Sequence, residues 1–193
     1  MSVSKLAIPA LLAVTLLSGC AGVDAVSAGK PADLGDGVSV VPTTVWARVH
    51  GGALDPLLTI DGIGLGEVRY FTGVKPGDPL FKVAGVPNAE IGGYKPDMLP
   101  NDVMELLVAN LSKAGAQDVQ TAALKPAKFG SRDGFAFNLS FVSKDGLNMR
   151  GEALATQRNG KLDMLLYTAP DEYYFAHRQA DVEQLFATIL VAG

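Results

Sequence analysis

The stretch FAFNLSFVSKDGLNMRGEALATQRNGKLDMLLYTA, residues 135–169, decides the fold. Its first part alternates: Phe135, Phe137, Leu139 and Phe141 point one way and Ala136, Asn138 and Ser140 the other, the period of a strand with one strongly apolar face. Asp145-Gly146 and Asn159-Gly160 then supply turns, because tight hairpin loops need the positive φ that Asn, Asp and Gly tolerate. Three strands joined by tight hairpins follow. The third carries Leu162, Met164 and Leu166 on one face but Leu165 and Tyr167 on the other, so it needs cover on both sides and belongs inside a sheet.

Helical patterns flank this meander. Upstream, Val103, Leu107, Leu111 and Ala114 share one face of a helix over about 101–114, with Asn101 or Asp102 as cap, Glu105 completing a capping box and Gly115 as a left-handed exit. Downstream, Pro170-Asp171-Glu172 opens a second helix over about 171–190, its acids in the first turn where the helix dipole favours them. Val182, Leu185, Phe186, Ile189 and Leu190 make its second half amphipathic. Between the first helix and the meander, residues 118–134 read as one further strand.

The N-terminal half reads as strands. Residues 38–49, VSVVPTTVWARV, fit one or two short strands interrupted at Pro42. LLTID and EVRYFTGV are two more, joined by a Gly-rich turn, GIGLG. Residues 75–100 are rich in Pro and Gly. They read either as a long functional connection or as a crossover with one short strand at PLFKVAG, residues 79–85. The order of elements predicts an α+β domain over 38–193 with a mainly antiparallel sheet and two principal helices. That order, with the strand end Tyr167-Thr168-Ala169-Pro170 and Phe175, resembles the PsbP-like fold found in small envelope lipoproteins. The resemblance implies a PsbP-like sandwich and an accessory or binding role.

Residues 1–19 read as a secretion signal, with Lys5 followed by an apolar run from Leu6 to Leu17 that is shorter than the roughly 20 residues a bilayer-crossing helix needs. Leu17-Ser18-Gly19-Cys20 resembles the lipobox of bacterial lipoproteins, which implies cleavage after Gly19 and a lipid on the Cys20 sulfur. An ordinary signal peptide cut later, after Ala28, is the alternative. In a Gram-negative cell, Ala21 in place of the Asp that resembles an inner-membrane retention signal implies the outer membrane, facing the periplasm. Residues 20–37, rich in Ala, Gly and Asp, read as the lipidated N-terminus and a flexible tether with a span of roughly 20–25 Å.

Cys20 is the only cysteine, so an intramolecular disulfide is excluded. The 16 Lys and Arg against 20 Asp and Glu give a net charge of −4, and loss of Lys5 with the leader makes it more negative. That charge argues against nucleic acid as partner. The two histidines, His50 and His177, lie far apart in sequence and suggest no metal site. Ser131 in GSRDG precedes a strand and does not match the nucleophile elbow of hydrolases. Gly62, Gly64 and Gly66 lack the dinucleotide-binding spacing. The remaining cluster is EYYFAHR, residues 172–178, where Tyr173, Tyr174, His177 and Arg178 form a candidate docking patch while Tyr174 or Phe175 packs onto the sheet. The sequence thus predicts a lipid-anchored, non-enzymatic envelope protein without cofactor or metal, binding a partner protein or a small apolar ligand. The alternatives are an envelope hydrolase or transferase, and a structural lipoprotein.

Overall fold

A computed structural model describes residues 22–51 and 54–192. Cys20 and the leader lie outside the described residues. Strands β1 (Gly22–Val26), β4 (Trp46–Gly51), β5 (Leu54–Thr59), β6 (Glu67–Val74), β7 (Gln117–Phe129), β8 (Arg132–Val142), β9 (Asn148–Arg158) and β10 (Lys161–Pro170) form one antiparallel sheet in the order β1-β4-β5-β6-β10-β9-β8-β7. A smaller sheet, β11-β3-β2, combines β2 (Ala32–Gly35), β3 (Val38–Val40) and β11 (Leu190–Val191). Helices α1 (Asn88–Ile91), α2 (Pro100–Lys113) and α3 (Tyr174–Ala187) complete the domain. Among the described residues no helix is long and apolar enough to cross a membrane.

The alternation in residues 135–169 sorts the core into two layers. Phe135, Phe137 and Leu139 on β8, Ala153 and Ala155 on β9, and Leu162, Met164 and Leu166 on β10 pack against Val103, Leu106 and Leu107 of α2 and against Leu80 and Tyr94. On the other face, Leu58, Val68, Tyr70, Leu154, Leu165 and Tyr167 meet Leu34, Val38 and Val40 of the small sheet and Val182, Leu185 and Ile189 of the α3 region. Strand β10 lies between β6 and β9, as its two apolar faces require. Asn159 and Gly160 turn β9 into β10 with φ of 51° and 72°, whereas Asp145-Gly146 sits in a wider loop closed by a 2.8 Å hydrogen bond from Ser143 N–H to Leu147 O. The strand expected over 118–134 is β7, so the meander has four strands; β7 carries register shifts between Gln117 and Gln120 and between Ala122 and Lys125.

The predicted tether is corrected. Residues 22–26 pair with β4 through Gly22↔His50 to Val26↔Trp46, and residues 32–35 pair with β3. The domain therefore begins before residue 38. Composition misled because the stability of these strands comes from their partners: β4 satisfies the backbone of β1, while Val26, Ala32 and Leu34 are buried in the core layer beneath α3. Arg48 Nη2 donates to Asp33 O at 2.7 Å and Thr72 Oγ1 to Leu34 O at 2.8 Å, fastening β2 to the main sheet. Asp36, in the turn after β2, accepts from Arg158 and Lys161 at 3.1 and 2.8 Å, and Arg158 also donates to the buried Asp163 carboxylate at 3.1 Å.

Both helices start later or earlier than their sequence signals. The cap of α2 is Leu99, followed by Pro100; Asp102 accepts from Leu99 N–H at 2.7 Å, and Gly115 makes the left-handed exit at φ 97°. Pro170 still belongs to β10, and Asp171 and Glu172 form a turn instead of a first helical turn. No strand forms at 79–85. Leu80 N–H is taken by the Asn110 side chain at 2.8 Å, and the segment packs on α2 instead of joining a ladder. The same Asn110 amide donates to Ile91 O and Gly92 O at 3.3 and 3.2 Å. One fully buried side chain on α2 therefore organises both ends of the 80–92 segment.

Candidate functional site

At the end of the sheet where β5 turns into β6, a groove of about 600 Å³ opens between the sheet and the C-terminal turn of α2. Its walls come from distant parts of the chain: Phe81 and Val83 of the 75–99 connection, Leu111 of α2, Phe141 and Met149 flanking the β8–β9 loop, and Leu166 of β10. These side chains converge because residues 135–169 place β8, β9 and β10 side by side. At the mouth stand two apolar residues on turns, Ile63 and Leu147, which are 52% and 50% exposed. Inside, Glu67 and Arg69 pair at 2.9 Å, while Lys82, Lys144 and Asp145 are exposed along the lining. The volume falls within the roughly 300–1,000 Å³ of small-molecule sites, and the mostly apolar lining suits hydrophobic burial over charge chemistry.

The β5–β6 turn forms one lip of the groove and is tied down from the opposite face of the sheet. Thr59 Oγ1 donates to Gly66 O at 2.6 Å and accepts from Gly62 N–H at 2.9 Å, closing the turn. The Asp61 carboxylate accepts from Nε and Nη2 of the Arg178 guanidinium on α3, at 2.7 and 2.6 Å, and Asp181 accepts from its Nη1 at 3.2 Å. These hydrogen bonds hold the Asp61 carboxyl below its ordinary pKa and push Arg178 further up. Arg178, predicted as a docking residue, is thus committed to the groove's lip.

The other predicted docking residues form an aromatic corner at the start of α3. Tyr173 is 66% exposed and stacks on His177 with ring centroids 4.7 Å apart, and Tyr174 meets its edge at 5.2 Å. Its backbone stands at φ 74° and ψ −63°, and Tyr174 N–H donates to Glu172 O at 3.0 Å, the signature of the rare, strained γ-turn. Both Tyr174 and Phe175 pack on the core, where the sequence suggested one or the other. Phe175 stacks on Tyr167 at 5.1 Å. The Tyr167 hydroxyl is shared between Tyr174 O and Phe175 O at 3.2 and 3.1 Å, and burial pushes its pKa up to about 12.

The remaining sequence candidates are dispersed. Ser131 lies in the two-residue turn between β7 and β8. His50 faces Asp24 across β4 and β1 at 2.7 Å, and His177 is stacked on Tyr173. Among the described residues no three His, Cys, Asp or Glu side chains gather as a metal site would require. The groove itself was not read from the sequence. The available signal was the pair of apolar residues, Ile63 and Leu147, set in polar or Gly-rich turns where solvent-facing residues belong.

The comparison that bears on this architecture is with a solved structure. Cyanobacterial PsbP (CyanoP) from Synechocystis sp. PCC 6803 superposes with a TM-score of 0.50 at 13% identity, over 94% of this chain and 99% of that one. The fold is PsbP-like. A protein from Bacteroides thetaiotaomicron VPI-5482 gives a TM-score of 0.44 at 13% identity over 81% of this chain and 46% of that one. LpqN, involved in cell envelope biogenesis of Mycobacterium tuberculosis, gives 0.37 at 12% over 93% and 88%. No family model and no curated sequence matches this chain. At such identities the likeness extends to the fold, and the site must be read from the PsbP-like domain's own residues.

Proposed function

We propose that this chain is a lipid-anchored envelope protein, held in the outer membrane and facing the periplasm, whose PsbP-like domain binds a small apolar ligand without catalysing a reaction. The groove carries this reading. It offers a ligand-sized apolar space whose deep ion pair, Glu67 and Arg69, is internally neutralised. A bound chain or ring would displace water from Phe81, Leu111, Phe141, Met149 and Leu166, a gain of roughly 25 cal/mol per Å² of apolar surface covered. The lipobox ending in Cys20 supports the anchor.

Fluorescence titration with cis-parinaric acid, a long apolar chain with a carboxylate, tests the ligand reading. The unaltered domain should bind it, and Ile63→Glu combined with Leu147→Glu should weaken binding at least tenfold. Both positions are about half exposed, so the melting temperature should move little. Absence of binding, or equal binding by the variant, would refute the reading. Mass spectrometry of the membrane-extracted protein tests the anchor separately, since a chain beginning beyond Ala28 without an acyl mass would remove it.

Partner docking at the aromatic corner is a second reading, favoured by Tyr173: an exposed aromatic held at a strained backbone position is a feature that clusters at functional sites. A photo-crosslinking residue in place of Tyr173 should join one envelope protein in intact cells, and the same residue in place of Leu124 should not. Identical products from both positions would count against docking.

A further inference from the structure

We infer that the groove's ligand is a single-chain carboxylate amphiphile of the fatty-acid class, its chain against the apolar walls and its carboxylate held in water by Lys82 and Lys144. This assignment rests on the apolar-ligand reading above and adds the charge and size of the ligand; the lipid anchor plays no part in it. The chain as a whole carries a net charge of −4, yet three of the ionisable side chains lining the groove are cations, Arg69, Lys82 and Lys144, against the carboxylates of Glu67 and Asp145. Arg69 and Glu67 neutralise each other. Arg69 donates to Glu67 Oε1 from Nε at 3.0 Å and from Nη2 at 2.9 Å, and Glu67 Oε2 accepts from Gly64 N–H at 3.4 Å. Lys82 and Lys144, by contrast, have no carboxylate within salt-bridge distance among the described residues. With Asp145 set against one of them, the lining keeps one positive charge for an incoming anion.

The backbones that carry both lysines are fixed before any ligand arrives, which lowers the ordering cost of binding. Just ahead of Lys82, Leu80 N–H is taken by the Asn110 side chain at 2.8 Å, and Phe81 packs on Phe71 with ring centroids 5.9 Å apart. Lys144 lies in the β8–β9 loop, closed by Ser143 N–H to Leu147 O at 2.8 Å and Leu147 N–H to Ser143 Oγ at 3.1 Å. Both lysines are exposed, whereas Met149 and Leu166 on the walls are 8% and 1% exposed. This gradient sets the direction of the ligand, because a carboxylate pays heavily for leaving water and an alkyl chain gains by it. Size sets the chain count. At roughly 30 Å³ per group, a water's share of liquid volume, the groove of about 600 Å³ holds about 20 methylene-sized groups, enough for one chain of up to about 18 carbons with its carboxylate. Two such chains do not fit, and a glycerophosphate head takes up space that the chain would fill.

The test is isothermal titration calorimetry of the purified protein at pH 8 and low salt with decanoate, decanol and decyltrimethylammonium, which share a chain and differ in head charge. Decanoate should bind about fivefold or more tightly than decanol, the range two exposed ion pairs supply, and decyltrimethylammonium should bind weakest. Lys82→Gln combined with Lys144→Gln should bring decanoate to the affinity of decanol and leave decanol unchanged; both positions are exposed, so the variant should melt with the unaltered protein. A fourth probe, decanoyl-lysophosphatidylglycerol, should bind more weakly than decanoate. Equal affinity for the three heads, a preference for the cation, a preference for decanoate that survives loss of both lysines, or tighter binding of the lysophospholipid overturns the carboxylate assignment and leaves the apolar-ligand reading standing. Binding of none of the four overturns the apolar-ligand reading itself, and the assignment falls with it.

Discussion

Replacing Asp61 by Ala should loosen the groove's lip before it unfolds the domain. The pair it breaks is bidentate, at 2.7 and 2.6 Å, with the Asp61 and Arg178 side chains 19% and 25% exposed. Exposed pairs contribute about 0–1 kcal/mol, and breaking a fully buried pair costs about 3–5 kcal/mol. A partly buried bidentate pair lies between, and Arg178 retains Asp181 at 3.2 Å, so about 1–2 kcal/mol is expected at neutral pH. For a domain of this size that lowers the melting temperature by about 2–8 °C. Hydrogen exchange should show a larger local effect: amides of residues 60–66 should lose protection while β8, β9 and β10 keep theirs. Because Arg178 holds the Asp61 carboxyl below its ordinary range, the pair contributes fully above about pH 4, the unfolded value, and the contribution fades as pH falls further. The gap between the unaltered protein and Asp61→Ala should therefore narrow toward pH 3. The assay is a double-mutant cycle of Asp61→Ala and Arg178→Ala by urea denaturation at pH 7. A coupling energy below about 0.3 kcal/mol, or unchanged exchange over 60–66, would refute the clamp.

Asn110→Ala should cost about 2–4 kcal/mol, because it leaves Leu80 N–H without its acceptor in a buried setting and removes the donor that reaches Ile91 O and Gly92 O; urea midpoints measure this, and Asn110→Asp should fail to rescue it since a carboxylate cannot donate. At Tyr173, Gly should be more stable than Ala by about 1 kcal/mol, reversing the usual order, because φ 74° strains any residue with a Cβ; equal melting temperatures for the two variants would argue against the γ-turn.

What the sequence disclosed and what it concealed divide along a physical line. The alternation at Phe135, Phe137 and Leu139, the double-faced run from Leu162 to Tyr167 and the helical stripe at Val103 and Leu107 are local statements about burial, and each side chain lies where its period placed it. Strands β1 and β2 carry little such signal. Val23, Asp24 and Ala25 become a strand because Arg48 and Val49, far along the chain, offer an open ladder. Even so, Asp36-Gly37 between Leu34 and Val38 was a readable hairpin turn, with φ of 47° and 77°, overlooked because its surroundings suggested a linker. The first turn assigned to Asp171 and Glu172 failed for a similar reason: the γ-turn at Tyr173 intervenes before α3 begins. The groove was the least legible feature, since its walls are assembled by tertiary packing from turns, a helix end and three strands.

The long outer strand β7 has a bearing on how the protein behaves at high concentration. Among the described residues it ends the main sheet with an unpaired flank, the kind of edge onto which a second molecule can add its own strand. Here positive φ at Asp118 and Ala123 breaks the strand's regularity, and Pro126 removes a donor from it. Lys125 and Lys128 add charge near the same stretch. Along β7 no uninterrupted length of backbone is left for fibril-like stacking, so crowded molecules can stand side by side without pairing through this edge.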